Sequence, residues 1–476
     1  MNKTVLAASL ALALALSGVG NMANAHEPMK SHVDHVFSSA KADSASTTLV
    51  AGPATLVNTT TAGYQYLRAS NALEDGGYLL VWESINDNPS NAVHFYFQRF
   101  DSKGRKTGGE TRLPIAFQDS SIAVLTNGDI VIAYRGARDA QGKLINSPNV
   151  ESGAFIQRFD ASGNQVLRET VVASTLGSAT AYDFVRVVPL ADGEFVVHWR
   201  SDSLSSGTVR YSFSVQSFDN DSQRIGSAIV LSFDNSQATT LIDYSIKAAP
   251  NGGFVLYKSM FDLSDIRGCF GSMSEPRIIS VFYYDENLVP KQIIAPTHCA
   301  ILLPLLANQY MFFGATPAGP YSQLMDDNGS FIGPQKPIEA RTQFRSPALT
   351  LFSARVLLAD GSYLLIWLSD VSEFKGQRYT SKGDPIGEVI NNIFSSRSNH
   401  ILPLAGGDVI LPWDDFNFNG NTTLTDIYTQ RLSDPDEKNH AHKHWRFKSC
   451  LEHAKGMKGH PRIAAKVECL VNLNER

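Results

Sequence analysis

Strong charge of either sign is missing from this chain. Charged residues make up 18% of its 476 residues, both signs are interspersed, and the formal net charge is -5. Nucleic-acid binding needs a pronounced basic footprint, so that class is excluded. Long apolar runs are also missing past the first residues. The run from Val5 to Leu16 is shorter than the roughly 20 residues that span a bilayer, and no transmembrane segment is expected. Cysteine is scarce, at 4 residues, and none follows that run as a lipid-anchored protein would require. No cofactor is expected.

What stands at the N-terminus sets the compartment. Lys3 precedes the apolar run and Ala23-Asn24-Ala25 forms a small-x-small cleavage site, so residues 1–25 read as a signal peptide and His26 as the first mature residue. The chain is expected to be secreted or periplasmic. In that oxidising setting the cysteines are expected to pair by nearness, Cys269 with Cys299 and Cys450 with Cys469.

The body is a repeat. LEDGGYLLVWES at 73–84, PLADGEFVVHWRS at 189–201 and LLADGSYLLIWLS at 357–369 share one phrase, with looser copies at 125–136, 248–259, 305–314 and 403–414. The turn positions are Gly76, Gly128, Gly193, Gly252, Asn308, Gly361 and Gly407, spaced 46 to 65 residues apart, which suits four short strands per unit. Asp-Gly, Asn-Gly and Gly-Gly pairs favour the positive φ of a tight hairpin. An aromatic recurs six residues past the glycine as Trp82, Tyr134, Trp199, Trp367 and Trp413, and reads as a packing residue between neighbouring units. Lys258 and Gly314 break that rule.

A second phrase closes the third strand. Gln98, Gln157, Gln216, Gln323, Gln377 and Gln430 hold equivalent places, and the fourth unit, VFYYDEN from 281, has a hydrophobic residue there. The Asp-x-x-Gly that usually follows is a turn device, with too few carboxylates for calcium. The last unit lacks a fourth strand while residues 47–60 precede the first unit unassigned; a strand at Thr48 to Asn58 is therefore expected to complete the last unit. The expected fold is all-β: one seven-bladed β-propeller of four-stranded antiparallel blades over 47–433, with a small α-helical hairpin at 434–476 stapled by Cys450 and Cys469.

These phrases resemble the D-G-G-Y-V-V-x-W and Q-R-F-D-x-x-G repeats of large exported bacterial proteins, including adhesin-like and repeat-toxin-associated chains. The resemblance implies the propeller and leaves activity open, because it consists of turn and packing positions. Propellers of this size also include secreted polysaccharide lyases and glycosidases. The chain has no S-x-D-x-G-x-x-T/W box, which argues against a sialidase.

If the glycine turns and the Asp-x-x-Gly turns lie on one face, the variable loops share the other, with the longest at Gly136 to Ser152 and Ser259 to Glu275. Charged residues near the start of each unit fall around that loop face. Asp183, His298, Arg397 and His400 are candidates for acid-base chemistry or uronate contact, and Asp119, Asp243 and Arg345 for binding; a solvated channel lining accounts for the same residues. His94 and His198 read as strand histidines held in packing.

Residues 26–46 form a polar segment carrying His26, His32 and His35, and His440, His442 and His444 lie beyond the repeats. Two such tracts admit a metal site, or exposed tails of no function. The set Cys450, His453, His460 and Cys469 admits zinc as well as a disulfide. The leading expectation is a non-catalytic binding protein that presents its loop face to a polysaccharide, a surface component or a protein partner. The rivals are a polysaccharide lyase on an acidic polymer and a periplasmic metal-handling protein.

Overall fold

The chain divides into two compact units, Met1–Ala40 and Lys41–Arg476, and the described residues belong to the second. The computed structural model describes residues 48–434 except 86–92, 115–119, 139–143, 146–151, 175–180, 191–192, 206–207, 235–239, 251–252, 263–276, 285–287, 294–300, 307–308, 317–318, 339–351, 369–372, 395–399 and 417–424. The expected signal peptide, the segment 26–46, the helical appendage and all four cysteines lie outside them. Among the described residues the structure is all-β, with no α-helix and no helix long and apolar enough to cross a membrane.

In chain order, β1 (Val50–Leu56) precedes β2 (Tyr64–Ala72), β3 (Tyr78–Ile85), β4 (His94–Phe100) and β5 (Lys106–Leu113), which pair in sequence. β6 (Ser121–Val124), β7 (Ile130–Arg138), β9 (Ser152–Phe159) and β10 (Gln165–Ser174) form the next sheet, with the short β8 (Leu144–Ile145) hooked onto β7. Four sheets of four strands follow. They are β11 (Ala181–Pro189), β12 (Phe195–Ser205), β13 (Thr208–Phe218), β14 (Arg224–Asp234); β15 (Thr240–Ala248), β16 (Phe254–Asp262), β17 (Arg277–Tyr284), β18 (Pro290–Ile293); β19 (Ile301–Pro304), β20 (Tyr310–Thr316), β21 (Gly319–Met325), β22 (Phe331–Pro337); and β23 (Phe352–Leu357), β24 (Tyr363–Leu368), β25 (Phe374–Tyr379), β26 (Pro385–Ile393). Finally β27 (Leu402–Pro403), β28 (Val409–Phe416) and β29 (Thr425–Ser433) take β1 as their fourth strand, and one parallel bridge, Tyr64 with Thr425, joins them to β2–β5.

The expected completing strand is therefore present: β1 runs antiparallel to β29, with Val50 opposite Ser433 and Leu56 opposite Tyr428. Asn58, buried beyond its end, locks the pair. Its Nδ2 donates to Asp426 Oδ1 at 2.8 Å and its Oδ1 accepts the Ile427 N–H at 2.7 Å.

Second strands are continuous apolar runs because sheets cover both of their faces. Tyr78 to Ser84 in β3 is wholly buried, whereas outer strands such as β22 are exposed along nearly their whole length. Each apolar cluster is shared by two successive sheets: Leu80 and Trp82 meet Leu404, Ile410 and Ile427 in one, Val131 and Ala133 meet Val185, Val197 and Trp199 in another. Trp82, Tyr134, Trp199, Trp367 and Trp413 are all buried, and the first four pack toward the preceding sheet. At about 25 cal/mol per Å² and roughly 200 Å² each, such a ring contributes on the order of 5 kcal/mol before entropy. At Gly314 the neighbours explain the missing aromatic, since a Cβ there would lie 2.6 Å from the Tyr321 ring and 2.7 Å from that of Phe312.

Gly76, Gly128, Gly193, Gly361 and Gly407 take positive φ as the turn chemistry requires. In the fourth turn Gly253 takes φ 69°, and Gly252 lies outside the described residues. Asn308 also lies outside them. In the Asp-x-x-Gly turns Asp101, Asp160 and Asp326 each accept two backbone N–H groups; Asp219 does the same in a turn whose left-handed position is Ser222, and Thr380 Oγ1 in the sixth repeat.

The repeated glutamine marks a break in register. Pairing between third and fourth strands shifts at or beside Gln98, Gln157, Gln216, Gln323, Gln377 and Gln430. Where extra residues bulge outward their carbonyls lose strand partners, and the side-chain amide supplies a donor. Gln377 Nε2 donates to the carbonyls of Arg378, Ile386 and Gly387, and Gln98 and Gln216 repeat the set. β17 has Phe282 in place of glutamine and pairs with β18 without a shift.

Candidate functional site

First strands of successive sheets adjoin one another: β2 with β6, β6 with β11, β11 with β15, β19 with β23, β23 with β27 and β27 with β2. Side chains bridge them, as where Asn71 Nδ2 donates to the Val124 carbonyl at 2.8 Å and the Val187 N–H to Ser121 Oγ at 3.1 Å. The charges on these strands run against the net charge of -5 for the chain: their sequences hold four cations, Arg68, Arg186, Lys247 and Arg355, and two carboxylates, Asp183 and Asp243. Arg68 is paired with Glu83.

Arg355, on β23, acts electrostatically on Lys247 of β15, two sheets away in sequence. Lys247 is open to water yet surrounded by protein on most sides, and that enclosure, with the like charge of Arg355 second, lowers its pKa to about 8. His400, on the chain entering β27, is lowered to about 4 by burial, so its imidazole is neutral at neutral pH. Its carbonyl accepts from Ser70 Oγ of β2 at 3.4 Å. His198 is lowered to about 3, first by burial and then by Arg186 opposite it on β11. Its ring packs 5.1 Å from that of Phe213 and its Nδ1 has no hydrogen-bond partner among the described residues, so packing holds it without a hydrogen bond at that nitrogen.

One residue on these strands is conformationally unusual. Phe184 has φ 50° at a register break between β11 and β12, and its side chain is 51% exposed. The Arg200 guanidinium lies 4.5 Å from the ring centroid and that of Arg186 5.9 Å, while Arg200 also lies 5.4 Å from the Tyr211 ring.

Of the residues singled out in the sequence, Asp183 and Asp243 stand on first strands β11 and β15, where the backbone alone is described, and His400 leads into β27. Asp183 and His400 thus belong to separate sheets. Asp119, His298, Arg345 and Arg397 lie outside the described residues, as do His26, His32, His35, His440, His442 and His444. Among the described residues no group of histidine, cysteine, aspartate or glutamate is placed to hold a metal. Sequence reasoning passed over Phe184, Arg186, Arg200, Lys247 and Arg355. The excess of cations on first strands was countable from the repeat alignment; the exposure of Phe184 carried no signal, because DFVRVV reads as an ordinary buried strand.

No family model matches the chain, and no curated protein matches it. Among solved structures it is similar to prolyl oligopeptidase B from Galerina marginata, at 9% identity over 76% of this chain and 46% of that one, with a TM-score of 0.38. A structure from a study of two prolyl endopeptidases matches at 14% identity over 78% of this chain and 50% of that one, with a TM-score of 0.41. An alpha-L-arabinanase from Penicillium chrysogenum, complexed with arabinobiose, matches at 11% identity over 82% of this chain and 98% of that one, with a TM-score of 0.35. The chain spans about half the length of the two peptidases. At such scores these likenesses carry neither activity nor substrate to this chain.

Proposed function

We propose that this chain is an exported, seven-bladed β-propeller that acts on an acidic polysaccharide as a carbohydrate-active enzyme of the eliminating type. The seven-bladed reading is supported by seven apolar clusters among the described residues, each shared by two successive sheets. The single observation that carries the function is the cationic lining of the first strands, where Arg186, Lys247 and Arg355 oppose the acidic balance of the whole chain. An anionic polymer is the ligand such a lining favours.

In uronate elimination a base removes the C5 proton, the electron pair forms a C4–C5 double bond, and the C4–O bond breaks, its oxygen taking a proton from water. Arginine paired with the uronate carboxylate stabilises the charge that develops as the C5 proton leaves. Arg186 and Arg355 fit that role. The burial that keeps His400 neutral also opposes its protonation, so the base is not assigned to it.

The test is ultraviolet absorbance from unsaturated ends when the full chain is incubated with polygalacturonate, alginate and other uronate polymers. Expected is release that falls by roughly 10-fold or more in Arg355→Ala, as the loss of a cation beside the uronate carboxylate requires. Salt-sensitive binding without release would overturn the enzyme and return the chain to the non-catalytic binding class. Neither binding nor release would overturn both.

A further inference from the structure

We infer that Phe184, Arg186, Arg200 and Tyr211 form a subsite for one carboxylated pyranose unit. This rests on the acidic-polysaccharide reading above and deepens it. The first observation is backbone conformation. A bulky residue at φ 50° is a true outlier, held only where its surroundings impose it, and such positions concentrate at ligand sites. The second is exposure. Along β11 Val185 and Val187 are buried in the seam with the preceding sheet, whereas Phe184 shows half of its ring to water. The register break between Asp183 and Arg186 turns that ring away from the seam, which is what a bulge does to the side chain it carries.

The third observation is what surrounds the ring. Two guanidinium groups stand within 6 Å of its centroid, Arg200 at 4.5 Å and Arg186 at 5.9 Å, and Arg200 is held in turn by Tyr211 at 5.4 Å. A uronate matches both halves of this arrangement. The C–H face of a pyranose stacks on an aromatic ring, and the carboxylate on C5 projects from the sugar's edge toward a cation a few ångströms away. A bare phosphate or sulfate has no use for the ring, and a neutral sugar has none for the two cations. The cluster lies toward the start of β11 and the strand ends joined by the β12–β13 connection, opposite the glycine turn at Gly193, on the loop face of the sheet.

The test uses the full chain and trigalacturonate, with galactotriose as the neutral control, in titration calorimetry beside thermal unfolding. Phe184→Gly removes the ring and also the φ penalty. Expected is a loss of affinity for trigalacturonate of about tenfold or more with an unchanged or raised melting temperature, a combination that a purely structural phenylalanine would not produce. Arg200→Lys keeps the charge but not the planar fork and is expected to weaken trigalacturonate about as much, while Phe184→Tyr retains binding. Parent-like affinity in Phe184→Gly would overturn the subsite and leave the acidic-polysaccharide reading standing. Equal binding of both sugars by the parent, or failure of the parent to bind any uronate oligomer, would overturn that reading and the subsite together.

Discussion

Arg158 donates from Nη1 to Ser222 Oγ at 3.0 Å, across the seam between the sheet of β9 and the sheet of β13. The same guanidinium pairs with Asp129 at 2.6 Å, beside the glycine turn of its own sheet. Arg431 repeats the arrangement, pairing with Asp408 and donating to the Ser102 carbonyl at 3.0 Å. Arg99 and Arg378 pair with Asp75 and Asp360. Arginine after the repeated glutamine thus ties a glycine turn to its own third strand, and in two cases to the next sheet. Because Arg158 is buried, Arg158→Met strands Asp129 and is expected to lower unfolding free energy by roughly 3 kcal/mol. Arg99→Met, whose Asp75 partner is exposed, is expected to lose under about 1 kcal/mol. Denaturant titration of the two variants checks the order.

Gln377→Leu is expected to lower stability by about 1–3 kcal/mol, because carbonyls on a bulge lose their donor in a partly buried site. Gln323, whose Nε2 donates to the Gly333 carbonyl at 2.8 Å in a more exposed setting, is expected to lose less on the same change. Chemical denaturation that ranked Gln323→Leu above Gln377→Leu would contradict the bulge account.

Stability is expected to fall on acidification through a defined window. His198 and His400 have folded pKa values of about 3 and about 4, below the ordinary 6.5, so above pH 6.5 both folded and unfolded chains hold them neutral and their contribution is complete. Between 6.5 and 4 the unfolded chain binds protons that the folded chain refuses, and stability drops with pH; below about 4 the His400 loss levels off. Melting temperature against pH should show this slope, and His198→Leu should flatten it. An unchanged slope in that variant would mean the imidazole is protonated in the folded chain.

Asn58→Ala removes a buried side chain that both donates to Asp426 and accepts from the Ile427 N–H. A loss of about 2 kcal/mol is expected, with faster hydrogen exchange at Ile427 and along β29 than elsewhere. Uniform acceleration across the chain would show that β1 and β29 do not open as a local unit.

Charge removal from the first strands gives the converse pattern. Arg355→Ala is expected to leave the melting temperature within a few degrees of the parent and to reduce the salt dependence of polyuronate binding, together with its affinity by roughly tenfold. Affinity titrations at two ionic strengths read both effects.

Sequence alone determined the repeat, because its carriers act locally: a glycine at positive φ, an aspartate accepting two turn N–H groups, an aromatic a set distance along a strand. The completing strand at Thr48 to Asn58 was legible for a related reason, since counting strands left one unit short and one segment over. The glutamine position was visible too, but its purpose was not. A bulge belongs to a pair of strands, and the carbonyls that Gln377 satisfies are nine and ten residues away. Tertiary structure decided the rest. Phe184 has an ordinary strand sequence around it, and only the register break with β12 exposes its ring. Arg186, Lys247 and Arg355 are far apart along the chain and belong to one lining only because first strands adjoin. Turn and packing chemistry acts over a few residues and is written in the chain; pairing register and the meeting of distant strands are set when the sheets pack, and the candidate site rests on those.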